Sequence, residues 1–337
     1  MRKDSLRGRF FAKVAALAIC CGAPAAASTN DAYDEVNLAK ERAAIAQFQT
    51  MDQKLQDAGW RLATGNAAFC ENAIPATGLQ LQDLASYAKP DIARAALGMT
   101  GSFAVQTAAS GSPAAASGAF PVNREITQIS GVDLNLWEAR DRRDWRRLKR
   151  AHDWMDSELA RTRKLSVTFA NGEMVTLDPD MACATRFELA ARNSRAVADG
   201  QRVVIGAGFD GFDYSLDAFA AGVAHELAHN LLRHREWLDR NGRKRRNVRA
   251  TEREADRLMP WLLANAGYDP EAAATFMEQY RPVSGAVLFF GGSHDKWQDR
   301  ADSVRAQLPL IRQLMERENA ADWSVHFQRQ IDPSEGL

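Results

Sequence analysis

Apolar residues at Val36, Leu38, Ile45, Phe48, Met51 and Leu55 recur at helical spacing and predict a helix over residues 31–62, with Gly59 able to close it. Residues 63–97 read as short helices and loops around Cys70, with "LQDLASYA" the clearest turn. The pattern then changes. "SFAVQTAA" alternates as a strand, "SGSPAAASGAF" is a turn with a short small-residue helix, and "REITQISGVDL" is a strand entering a glycine turn. A charged stretch over residues 137–163 predicts a helix. After it, "LSVTFANGEMVTLDP" predicts a hairpin turning at Asn171-Gly172.

Beyond Cys183 the chain is mostly helical. Residues 202–208 predict a short strand. Ser215 can cap a helix that starts at Leu216 and runs to Asn241-Gly242. A second helix is expected over 251–265, and Asp269-Pro270 open a third. The glycine-rich "FFGGSHDKW" leads into a last helix over 299–318. The class is α+β: a mostly helical unit with a small edge-strand sheet, and a small β-rich unit before it.

The N-terminus alters the charge balance. Arg2, Lys3, Arg7, Arg9 and Lys13 precede an apolar run over 14–21, and Ala25 and Ala27 have the spacing of an A-x-A cleavage site. Residues 1–27 therefore read as a secretory signal peptide whose apolar run is too short to span a bilayer. Cleavage after Ala27 turns 43 basic and 43 acidic residues into 38 and 42, a net charge of −4. Nothing in that balance calls for nucleic acid. Cys70 and Cys183 survive the cut, and an exported chain with two cysteines favours one disulfide. No other segment is apolar enough for a span. The mature protein is expected in the periplasm or outside the cell, with peripheral contact to the envelope and the oligomeric state left open.

Three of the six histidines lie in "VAHELAHNLLRH", residues 223–234. His225 and His229 are i and i+4, so both imidazoles can reach one cation from one helical face. With Glu226 they form H-E-x-x-H, where zinc suits the histidines and the carboxylate can take a proton from water that zinc activates. Val223, Ala224, Leu227, Ala228, Leu231 and Leu232 give the helix a buried flank. Catalytic zinc needs a third protein ligand. In "TEREADRL", Glu252 can supply it, while Asp256, one turn on, can accept the N–H of a ligand histidine. His234, at i+5 from His229, is expected to point elsewhere as a surface or capping residue.

H-E-L-A-H, E-x-x-A-D and "NAGYDPEAA" together resemble the gluzincin peptidases of the HtpX, BepA and CAAX-prenyl-protease kind. The resemblance covers about residues 185–315. It implies one zinc per chain held by His225, His229 and Glu252, with Glu226 as general base. The family's "S-H-P" segment corresponds to Ser293-His294-Asp295 without the proline, and Arg300 keeps the spacing of six. His294 and Arg300 would then face the open zinc position and stabilise an oxyanion. "NSRAVADGQRVVIGAG" resembles the family's edge strand beside the cleft. Earlier, Gly111-Ser112-Pro113-Ala114-Ala115 and Ile126-Thr127-Gln128-Ile129-Ser130-Gly131 resemble a bacterial PDZ domain, from which the helix after Gly131 departs.

The expected plan is a signal peptide over 1–27, a helical segment over 28–97, a PDZ-like domain with a helical insertion over 98–180, a zinc peptidase domain over 181–320, and a tail over 321–337. The expected function is an exported zinc metalloendopeptidase that hydrolyses protein or peptide substrates in the cell envelope, as protein quality control. The rival is a zinc-stabilised periplasmic chaperone or scaffold that binds partners through the PDZ-like part. Glu226 separates the two, because a purely structural zinc site has no use for a base.

Overall fold

The first apolar stripe forms a helix, but not one that stops at Gly59. In the computed structural model, which describes residues 34–141, 143–280, 295–332 and 334, α1 runs Glu35–Gly65 behind an Asp34 cap. A Cβ at Gly59 would lie 2.5 Å from the Phe187 ring. The missing side chain thus lets helix and strand approach closely.

Short strands and helices follow: β1 (Ala73–Ala76), β2 (Leu79–Asp83), α2 (Pro90–Leu97), β3 (Phe103–Ala108), α3 (Pro113–Ala116), β4 (Glu125–Ile129), β5 (Val132–Asp133), α4 (Trp145–Thr162), β6 (Leu165–Phe169), β7 (Met174–Leu177), β8 (Asp180–Cys183), β9 (Arg186–Ala190), β10 (Ala196–Ala198) and β11 (Arg202–Gly206). The rest is helical: α5 (Leu216–Leu231), α6 (His234–Asn241), α7 (Arg245–Asn265), α8 (Ala272–Gln279), α9 (Trp297–Arg305), α10 (Leu308–Glu318) and α11 (Trp323–His326). The class is α+β.

The largest sheet has the order β2-β3-β4-β6-β7, with β5 added to β4. Leu165, Val167 and Phe169 of β6 alternate inward. Ala151, Met155 and Leu159 of α4, spaced by four, close the same core. The helix therefore roofs the sheet and is no mere insertion. Buried Asp83, at the end of β2, accepts from Arg147 Nε of α4 at 2.8 Å and fixes the roof. β2 corrects the expected boundary, since Leu79–Asp83 lies inside the segment read as helical. Leu79 and Leu81 bury into the core of Phe103 and Val105, so the β-rich unit begins there and not at residue 98.

β1 and β8 form a separate antiparallel ribbon with Ala73 opposite Cys183. Cys70 and Cys183 are bonded beside it, with Cα atoms 5.6 Å apart and a sequence separation of 113. The bond ties the chain before the β-rich unit to the chain after it. Replacing both cysteines by serine should cost about 4–5 kcal/mol in the chain-entropy picture. Urea unfolding measures this, and a midpoint equal to that of the oxidised wild type would contradict it.

A three-stranded sheet, β10-β11-β9, lies against the helical unit. β9 and β11 are parallel, and β10 is the antiparallel outer strand. Ser215 caps α5 as expected, accepting from Ala218 N. The expected single helix to Asn241 is two: Arg233 takes a left-handed conformation with φ 56°, and α6 starts at His234. α7 starts earlier than the predicted 251. The predicted last helix is also two, α9 and α10, with Pro309 in the first turn of α10. The tail is not loose. Trp323 Nε1 donates to Asn66 Oδ1 at 3.0 Å, and Phe327 meets Trp261 edge to face.

Among the described residues no helix is long and apolar enough to cross a membrane. The signal peptide expected over 1–27 and the site role expected for His294 lie outside the described residues.

Candidate metal centre

α5 is buried along Val223, Ala224, Leu227 and Ala228, which holds its other face against α7. His225 and His229 stand one turn apart on that face, with Glu252 of α7 opposite. The two Nε2 atoms are 3.3 Å apart. Glu252 Oε2 is 3.3 Å from His225 Nε2, and its Oε1 is 3.6 Å from His229 Nε2. Three ligand atoms from these residues lie within 4.8 Å of one another. Two ligand atoms on a tetrahedral ion with bonds of about 2.0–2.1 Å stand about 3.3–3.4 Å apart. The three residues thus fit one such ion, and all three line the cleft.

The surroundings favour a cation. Asp256 Oδ1 is 3.0 Å from His225 Nδ1, so that nitrogen faces an acceptor, the arrangement that turns Nε2 to a metal once its proton is displaced. Burial opposes charge on the His225 imidazole, yet Asp256 and Glu252 outweigh it and raise its pKa to about 10. His229 goes the other way, lowered by burial to about 3. The two carboxylates hold positive charge at His225, and a metal ion would compete with the proton for the same nitrogen.

Glu226 follows His225 and lines a cleft of about 440 Å³ together with β10, Phe276 and Tyr280. Burial pushes its carboxyl up to about 7, the neighbouring Glu252 adding to the rise and His225 opposing it. A carboxylate tuned to that range suits proton transfer near neutral pH. β10 presents its outer edge beside this cleft. Asn230 Oδ1 of α5 accepts from Gly200 N at 2.8 Å, which pins the β10–β11 turn over the helix.

Arg300 also reaches the cleft, but not as an unengaged oxyanion donor. Its Nε donates to Asp256 Oδ2 at 2.7 Å and its Nη2 to Asp256 Oδ1 at 2.8 Å. Two of its three nitrogens are thus used on Asp256, and the side chain is a clamp on the acid behind His225. The same salt bridge holds the Asp256 carboxyl well below the usual range, against burial.

His234 corrects a second expectation. It is 1% exposed, and its Nδ1 lies 2.9 Å from His229 Nδ1. On a continuous helix an i+5 residue turns away. The left-handed Arg233 breaks the helix and brings the ring back behind its neighbour. Its other nitrogen meets Glu254 of α7, which is also bound by Arg329 of the tail. None of these three residues was legible as part of the site. The only signals were the clustering of His234 with the other two histidines and the acid at every second position from Glu252 to Asp256. No family model matches the chain, and neither does any curated protein or solved structure.

Proposed function

We propose that the protein is an exported zinc-dependent endopeptidase. The observation that carries this reading is the meeting of His225, His229 and Glu252 at ligand spacing, with Glu226 beside them in an open cleft. When bound, zinc supplies Lewis-acid polarisation of the scissile carbonyl and activates water. His225, His229 and Glu252 would hold it. Asp256 orients His225 and is itself locked by Arg300. Glu226 accepts the proton of the attacking water and returns it to the leaving amine. Among the described residues the outer edge of β10 pairs with no other strand, and such an edge suits an extended peptide, aligned through backbone hydrogen bonds. Substrates of this form are unfolded or flexible protein segments, which fits quality control of envelope proteins. Export is supported by the Cys70–Cys183 bond, which persists in oxidising compartments. The β-rich unit resembles a PDZ domain in its "GSPAA" and "ITQISG" segments, and a role in selecting substrates is part of the same proposal.

The purified mature chain should carry one zinc and cleave casein. Chelation should abolish the cleavage and added zinc restore it. Two imidazoles and a carboxylate also suit iron(II), so elemental analysis decides, and iron in place of zinc overturns the reading. Because Glu226 works deprotonated, kcat/KM should fall toward acid, about tenfold per pH unit, with a midpoint at or below about 7. The upper bound follows because the cation beside Glu226 draws its pKa down. A rate that rises toward acid would exclude Glu226 as the base.

A further inference from the structure

Glu254 and His234 link the candidate centre to the C-terminal segment. Glu254 is fully buried on α7. Its Oε1 accepts the backbone N–H groups of Gln330 and of Ile331, the latter at 2.8 Å. Its Oε2 accepts from Arg329 Nη2 at 2.9 Å and lies 3.1 Å from His234 Nε2. Arg329 Nη2 also donates to Leu232 O, where α5 ends. Ile331 is buried against Trp237 and Leu238 of α6, which fastens the segment in place.

The hydrogen-bond directions follow from this arrangement. Arg329 and two backbone amides are donors only, so Glu254 is an acceptor at every contact, and Arg329 supplies its counter-charge. The proton between Glu254 and His234 must then sit on His234 Nε2. A neutral imidazole carries one N–H, so His234 Nδ1 is an acceptor. The facing His229 Nδ1, 2.9 Å away, must be the donor. His229 is left with its lone pair on Nε2, on the side of His225 and Glu252.

We infer that residues 329–331 are a positioning element of the metal centre, acting through Glu254 and His234 to fix the tautomer in which His229 offers Nε2 to the metal. The inference rests on the metal reading above. It assigns to the tail a function of the same kind that Asp256 and Arg300 have on the other histidine. Loss of such a partner of a ligand histidine typically weakens metal binding 10- to 100-fold.

Two measurements test it on the full mature chain. Zinc affinity by chelator competition should fall about 10- to 100-fold in His234→Phe, which keeps a ring of similar shape but no acceptor. In His234→Asn, whose amide oxygen can accept from His229 Nδ1–H, it should return to within a few-fold of wild type. Equal affinity of wild type and His234→Phe would overturn the inference. Nitrogen-15 NMR of the metal-free protein should show His229 protonated on Nδ1 in the wild type and on Nε2 in Glu254→Gln, whose amide can donate to His234. A wild-type His229 protonated on Nε2 would refute the relay whatever the zinc affinities. Failure of the wild-type chain to bind zinc at all would refute the metal reading, while the NMR spectrum would still judge the relay by itself.

Discussion

Glu226→Gln should leave zinc content and fold unchanged and lower casein hydrolysis by roughly 100- to 10,000-fold. The amide has nearly the shape of the carboxylate, and Glu226 is not among the three grouped ligands. The substitution therefore removes a proton acceptor and little else. The position also argues that the group is used. Burial raises its pKa to about 7, with Glu252 adding to the rise, which places the carboxyl in the range suited to proton transfer near neutral pH. Zinc analysis, circular dichroism and a protease assay on the same preparation are sufficient. Residual activity within a few-fold of wild type would assign the base to another group. Unchanged zinc with no activity in either protein would favour a binding function for the centre.

Glu252→Ala should strip the centre of zinc, with an affinity loss larger than the 10- to 100-fold typical of an outer partner. Glu252 is the sole carboxylate of the three-residue cluster, and its two oxygens span both histidine nitrogens at 3.3 and 3.6 Å. Without it, two imidazoles remain where a catalytic ion needs three protein ligands. The variant should also relieve the electrostatic pull that, together with Asp256, holds a proton on His225. Elemental analysis after dialysis against a weak chelator reads the outcome. Zinc retained at one per chain would remove Glu252 from the ligand set and leave the two histidines in search of another third partner.

Much of this architecture is legible in local pattern. The Asn171-Gly172 hairpin, the strands β3 and β4 and the Ser215 cap each express a preference of a few neighbouring residues, and all are present, although β3 is buried along nearly its whole length and not at alternate positions. β2 escapes local pattern for a related reason. "LQLQD" is too short for its alternation to outweigh the helical pattern of the residues around it, and it becomes a strand by pairing with β3. Glycine is a poor helix former, so Gly59 reads as a terminator in the sequence, but the approach of Phe187 explains it.

By itself the sequence determined that two histidines one turn apart share a face, that a glutamate adjoins them, and that a second helix carries Glu252 and Asp256 on one side. These follow from helical periodicity, which is a local property. It also supplied the two cysteines that the fold joins. The tertiary structure decided the rest: that Arg300 closes on Asp256, that α5 breaks at Arg233, and that His234, Glu254 and Arg329 line up behind His229. A left-handed residue inside an amphipathic stretch leaves no trace in hydrophobic spacing, and a tail residue meets Glu254 only after the helical core has packed. Contacts between residues 75 positions apart are set by that packing and not by any local preference.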